Sequence, residues 1–230
     1  MLHLNQKIKK MKARITLLLL CIIFASSCVV KSIQPFYIKK QLTFHAALLG
    51  DWQDQSRAQW KILSFKDQWE KDNQEDSLKI SLEDIKAYEN YREGYVISYT
   101  KYEKEAQFIG MPFMVDDYLF IDMTLLGYEA GEINELAVQH LLKTHSVAYI
   151  ELNTDKSITL RWLTESVINR IIQEGKVRLK HEVTGVGEDL ILTASSEELH
   201  QFLRTFMATE MEDKWNSDDT YSLKPVKAKP

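Results

Sequence analysis

Apolar and polar residues alternate most cleanly between Gly94 and Thr124. Tyr95, Ile97 and Tyr99 point one way against Val96, Ser98 and Thr100. Ala106, Phe108 and Gly110 repeat the pattern, as do Leu119, Ile121 and Met123 against Tyr118, Phe120 and Asp122. Three such runs separated by charged breaks predict an antiparallel β-meander. Before it, Leu48–Trp52 opens the folded part, Trp60–Phe65 reads as a strand, 65–74 as a charged loop or hairpin tip, and Leu78, Ile80 and Leu82 as a further strand. Residues 83–93 fit either a helical turn or a long hairpin. After it, Ile133, Leu136, Ala137 and Leu141 predict a helix over 132–143, and Ser146–Leu152 and Ser157–Trp162 a hairpin turning at 153–156. Thr164 caps a helix running to Glu174 and ended by Gly175. Strands are expected at 176–182 and 189–193. Ser195 and Glu198 then form a capping box for a helix burying Leu199, Phe202, Leu203, Phe206 and Met207. The expected fold is α+β: a meander or small open barrel of about seven to nine strands, packed with two or three helices from the second half of the chain.

The first 27 residues carry a different pattern. Lys7, Lys9, Lys10, Lys12 and Arg14 precede the apolar run Ile15–Phe24 and the small residues Ala25-Ser26-Ser27, then Cys28. Basic, apolar and small in that order is a secretory signal peptide, and an apolar run of about ten residues is short of the ~20 a spanning helix needs. Ala25-Ser26-Ser27-Cys28 resembles the lipobox of bacterial lipoproteins, with Ala25 where leucine is usual. The resemblance implies that Cys28 becomes the acylated first residue of the mature chain. Stable anchoring follows, because each buried methylene contributes about 0.8 kcal/mol. Val29 and Val30 follow the cysteine with no acid, which by resemblance to lipoprotein sorting signals favours an outer-membrane anchor facing the periplasm. The expected organisation is a signal peptide at 1–27, a lipidated anchor and linker at 28–46, one domain at 47–212 and a flexible tail at 213–230.

Charge sharpens this picture. The chain has 29 basic and 33 acidic residues; without the five basic ones of the leader, 24 face 33, a net −9. So acidic a body argues against nucleic acid as a partner. No cysteine follows Cys28, so the folded part has no disulfide and no thiolate chemistry.

Candidate chemistry is sparse. His140 and His145, near Glu135 and Glu151, lack the i, i+4 spacing of a helical metal pair. Local hydrogen bonding is the simpler reading for both, and His181 and His200 offer no more. Asp116, Asp117 and Asp122 match no calcium loop. There is no G-x-S-x-G and no glycine-rich phosphate loop, so no cofactor or metal is expected. An envelope hydrolase using carboxylates stays open, since 33 acids always offer pairs.

The aromatics lean furthest toward function. Residues 88–102 contain Tyr88, Tyr91, Tyr95, Tyr99 and Tyr102, and Trp52, Trp60 and Phe108 fall on neighbouring strands. In a curled sheet, Trp52, Trp60, Tyr95, Tyr99 and Phe108 would line an interior fit for a small apolar ligand; in a tight barrel they simply fill the core. Gly50-x-Trp52 resembles the opening signature of lipocalins, in which the tryptophan plugs one barrel end, and Val115-Asp116-Asp117-Tyr118 is similar to their Asp-Tyr motif. The order of short motifs from Leu141-Leu142 through Glu174-Gly-Lys-Val-Arg-Leu-Lys-His181 to Glu197-Glu-Leu-x-x-Phe-Leu203 resembles a group of uncharacterised bacterial lipoproteins, which implies a fold and an envelope location but no activity. The expectation is a membrane-anchored envelope lipoprotein acting as a non-enzymatic binding or scaffolding module. The alternatives are a lipocalin-like carrier of an apolar ligand and a hydrolase. Its expected partners are the membrane, through Cys28, and an envelope protein or a small apolar ligand.

Overall fold

The computed structural model describes residues 29–75, 80–128, 141–211, 214–215 and 219–226. The meander forms as expected: β4 (Tyr95–Lys101), β5 (Lys104–Val115) and β6 (Tyr118–Tyr128) pair antiparallel in succession. A two-residue turn joins β4 to β5, with Tyr102 and Glu103 both at positive φ, the twist that suits a tight hairpin. β2 (Gly50–Gln53) and β3 (Gln59–Ser64) extend the sheet on one side, while β7 (His145–Leu152) and β8 (Ile158–Trp162) form the expected hairpin on the other.

The sheet is not open. β6 pairs with β7 along Leu119–Thr124, and β11 (Thr220–Pro225) fits between β2 and β8. The result is a closed, eight-stranded antiparallel barrel in the order β6-β5-β4-β3-β2-β11-β8-β7. β11 lies in the segment expected to be a flexible tail. Its polar residues form a strand because Leu223 is buried inside the barrel and the Gln55 side chain clasps its backbone: Gln55 Nε2 donates to the Thr220 carbonyl (2.7 Å) and Oε1 accepts from Ser222 N–H (2.9 Å).

The expected linker is also part of the body. β1 (Lys31–Ser32) pairs antiparallel with β7 and parallel with β10 (Asp189–Leu192), which in turn carries β9 (His181–Thr184), so a small sheet extends from the barrel wall. Val30 and Phe36 are fully buried. Isolated apolar residues without periodicity gave no sign of this; they pack against elements distant in sequence.

Four α-helices occur among the described residues. α1 (Phe65–Glu75) occupies the stretch expected to be a loop, and α2 (Leu82–Tyr91) settles the ambiguity at 83–93 with a Ser81–Asp84 capping box. They hold each other through Trp69 on Tyr88 (4.5 Å between ring centres) and Phe65 on Tyr91 (5.8 Å). α3 (Glu165–Gln173) and α4 (Ser196–Ala208) carry their expected caps, Thr164 and the Ser195–Glu198 box. The strand expected at 176–182 is ordered as β9 only from His181. The helix expected over 132–143 falls mostly outside the described residues.

Alternation along the barrel strands sorts the apolar side chains into two cores. Inward residues such as Trp60, Ile97, Ile121 and Leu160 fill the barrel. Outward residues of β5–β7, including Phe113, Phe120 and Val147, pack beneath α3, α4, β10 and the N-terminal segment. Gly110 is on the inner face: a Cβ there would come within 2.8 Å of both the Ile97 and the Ile121 Cδ1, so the narrow interior requires its missing side chain.

Candidate functional site

The five aromatic positions do converge, in the barrel interior. Trp52, Trp60 and Tyr95 are buried, and Tyr99 and Phe108 pack at the margin of the same core. Trp60 meets Tyr99 edge-on at 4.8 Å and Tyr221 at 5.8 Å. Each buried polar tip is satisfied: Trp52 Nε1 donates to the Leu48 carbonyl (3.1 Å), Trp60 Nε1 to Asp54 Oδ2 (3.1 Å), and the Tyr95 hydroxyl donates to the His45 carbonyl (3.0 Å) while accepting from His45 N–H (2.8 Å). Burial pushes the Tyr95 and Tyr99 phenols up to about 12. Free space among Leu48, Trp60, Ile62, Tyr95, Ile97 and their neighbours is about 10 Å³, around the least that admits one water. Side chains fill the lumen.

An open trough of about 1150 Å³ lies on the barrel wall across β2, β3, β4 and β11, lined by Asp51, Gln53, Gln59, Lys61, Thr100 and Lys224 among others. The register sets Gln53 beside Gln59, Gln59 beside Thr100, and Lys224 beside Gln53. At its end, Asp54 folds the β2–β3 turn: Oδ1 accepts from Ser56 N–H, Ser56 Oγ and Ala58 N–H, and Oδ2 from Trp60. This carboxylate is structural, with its hydrogen-bonding capacity committed to the turn.

On the outer face of β6 and β7, the antiparallel register makes a constellation that spacing could not reveal. Asp122, 1% exposed, accepts Phe36 N–H on Oδ2 (2.8 Å) and lies 2.7 Å from His145 Nδ1 through Oδ1. Thr124 Oγ1 is 2.9 Å from the same Nδ1. Burial raises the Asp122 carboxyl above the usual range, opposed by the His145 hydrogen bond and charge and by the Phe36 bond. A nucleophile–base–acid relay needs the acid on one ring nitrogen and the nucleophile on the other. Here both contacts fall on Nδ1, so this cluster does not activate Thr124. What it does is fasten the N-terminal segment to the barrel wall.

His200 of α4 is buried against Phe113, ring centres 6.0 Å apart, and neither ring nitrogen makes a full hydrogen bond among the described residues. Burial and the Arg204 charge lower its pKa, with Lys40 adding slightly, while the facing Phe36 backbone and Asp116 offset part of the shift. The folded state therefore resists the proton that the unfolded chain takes up near 6.5. Stability present above that pH is lost as pH falls from 6.5 through the folded value. Asp122 acts in its own window: its raised pKa makes stability decline as pH climbs from 3.8 through its folded value. His200→Leu is expected to flatten the acid limb of a stability-versus-pH curve measured by urea unfolding. An acid limb as steep as in the unsubstituted protein would contradict the assignment.

The other sequence candidates have local roles. His181 Nδ1 bonds the Leu179 carbonyl, Asp116 pairs with Arg204 (3.1 Å), and Ser195 caps α4. Cys28, Glu135 and His140 lie outside the described residues. Among the described residues no three His, Cys, Asp or Glu side chains gather as metal ligands, and no helix is long and apolar enough to cross a membrane. The sequence reading missed the trough and the Asp122–His145 pair. Both depend on strand register, and the alternating outward polar residues of β2–β4 were the only trace of the first. Compared with protein-family models, with curated proteins and with solved structures, the chain matches none.

Proposed function

We propose that the chain is a lipoprotein of the bacterial cell envelope, held by an acylated Cys28 and acting as a non-enzymatic binding or scaffolding module through the outer surface of its barrel. The filled lumen carries this reading. With about 10 Å³ free inside, a barrel of lipocalin-like shape has no room for an apolar cargo, whereas its wall offers an open trough two orders of magnitude larger. The leader pattern and Ala25-Ser26-Ser27-Cys28 support the anchor, as does the absence of any later cysteine. Val29 and Val30 favour the outer membrane and its periplasmic face.

Cys28→Ser is expected to abolish incorporation of labelled fatty acid and to move the protein from the membrane to the soluble fraction. Unchanged membrane fractionation would sink the anchor. For the barrel, titration with a fluorescent fatty acid is expected to show no saturable quenching of the buried tryptophans. Stoichiometric quenching would return the carrier reading.

A further inference from the structure

We propose that the tip of the β9–β10 hairpin, Thr184–Glu188, is a second lipid contact, resting on the bilayer beside the acylated residue. The inference rests on the anchor reading above and adds which end of the molecule faces the membrane.

Three observations carry it. First, the chain is fixed right up to the neighbour of Cys28: Val29 bridges Thr164, Val30 N–H donates to the Leu163 carbonyl (2.9 Å), and Val30 is fully buried. One further residue spans about 3.8 Å between Cα atoms, so an acyl group on Cys28 holds this end of the body at the headgroups with no slack to float away. Second, β1 and β10 run parallel with Lys31 level with Ile191. Continuing that register backwards sets Val29 beside Asp189, the first residue of β10, and Lys31 Nζ reaches the Asp189 carboxylate at 3.1 Å. The hairpin tip therefore projects from the same end as the anchor. Third, that tip presents bare valine side chains at and beside its apex. Val186 is fully exposed and Val183 is 57% exposed. Gly185, at φ +74°, and Gly187 flank Val186, and a Cβ on either would meet only the Asp189 carboxylate. A valine between two glycines, covered by none of the described residues, is a narrow apolar point of the kind that enters a headgroup layer.

Charge supplies no attraction here. Glu188 lies in the tip and Glu182 beside it, and Lys31 shares its charge between Asp189 (3.1 Å) and Glu165 (3.6 Å). The contact is apolar and enforced by the anchor, so it does not weaken with added salt. The β4–β5 tip at Tyr102 offers an internal control. Ser32 is level with His145 on antiparallel β7, which sets Val29 toward the Tyr149 end of that strand. β4 and β5 turn beyond its His145 end.

The test uses the full acylated chain in vesicles of phosphatidylethanolamine and phosphatidylglycerol. Once Cys28 is acylated, Val186→Cys supplies the single free thiol of the mature chain for an environment-sensitive fluorophore, and Tyr102→Cys is labelled in parallel. Unfolding midpoints matching the unlabelled protein confirm that both exposed positions tolerate the label. The expected result is a blue-shifted, several-fold brighter Val186 signal that headgroup-level nitroxide lipids quench, with Tyr102 open to aqueous iodide. Equal iodide access at both positions, or lipid shielding of both, would overturn the proposal. Mass spectrometry of Cys28 in the same sample separates the two failures. An acylated Cys28 with an aqueous Val186 sinks this inference alone, whereas an unmodified Cys28 sinks the anchor and the inference with it.

Discussion

Trp60→Ala is expected to destabilise the protein by about 3–5 kcal/mol, the cost of emptying a large aromatic site in a close-packed core. Trp60 is 5% exposed, packs edge-on against Tyr99 and Tyr221, and donates to Asp54 Oδ2. Its removal opens a void in a lumen that has almost none, and strips one donor from a buried carboxylate that keeps its three others in the β2–β3 turn. Trp60→Phe retains most of the volume and forfeits mainly the hydrogen bond, so about 1–2 kcal/mol is expected. Urea unfolding of the pair decides between core and ligand site. If Trp60→Ala cost under about 1 kcal/mol, the residue would not be a packing element.

Phe36→Ala is expected to cost a comparable ~3–5 kcal/mol, although it falls in a stretch whose sequence reads as a linker. Its ring is fully buried in the outer core and its N–H is held by Asp122. The loss concentrates locally, because Phe36 anchors the stretch between β1 and the next tie to the barrel wall, where Leu42 bridges Phe113 and Thr43 N–H donates to the Pro112 carbonyl. Hydrogen exchange should show the Phe36 amide and β1 opening well before the barrel strands. A loss under about 1 kcal/mol, with β1 exchange unchanged, would restore the linker reading.

What could be read in advance followed from local signals. The meander, the 146–162 hairpin and the capped helices α3 and α4 have their periodicity and end signals within a single window of chain. α1 escaped notice because Lys66, Asp67, Glu70, Lys71 and Asp72 outweigh Phe65 and Trp69, yet those two aromatics suffice once α2 presents Tyr91 and Tyr88 to them. β1 and β11 escaped because two or three apolar residues carry no period; each is a strand only where distant partners supply hydrogen bonds and burial. The same holds for chemistry. Trp52, Trp60 and Tyr95 were recognised as a group, but whether such a group encloses space or fills it depends on barrel closure, which β11 brings about. Asp122 and His145 become neighbours only through the β6–β7 register.

Barrel closure by β11 also constrains how the molecule is made. Lys224 pairs with Gln53 and Thr220 with Arg161, so the ring joins a strand from early in the chain to one from late in it. Synthesis proceeds from the N-terminus, and until residue 225 has emerged β2 and β8 stand as unpaired edges with Trp52, Trp60 and Leu160 uncovered between them. A half-made chain is thus prevented from sealing its barrel prematurely, and the same delay exposes it to edge-to-edge association. A chain stopped short of Thr220 would hold that vulnerable state permanently, turning a closed ring into an open sheet with two adhesive margins.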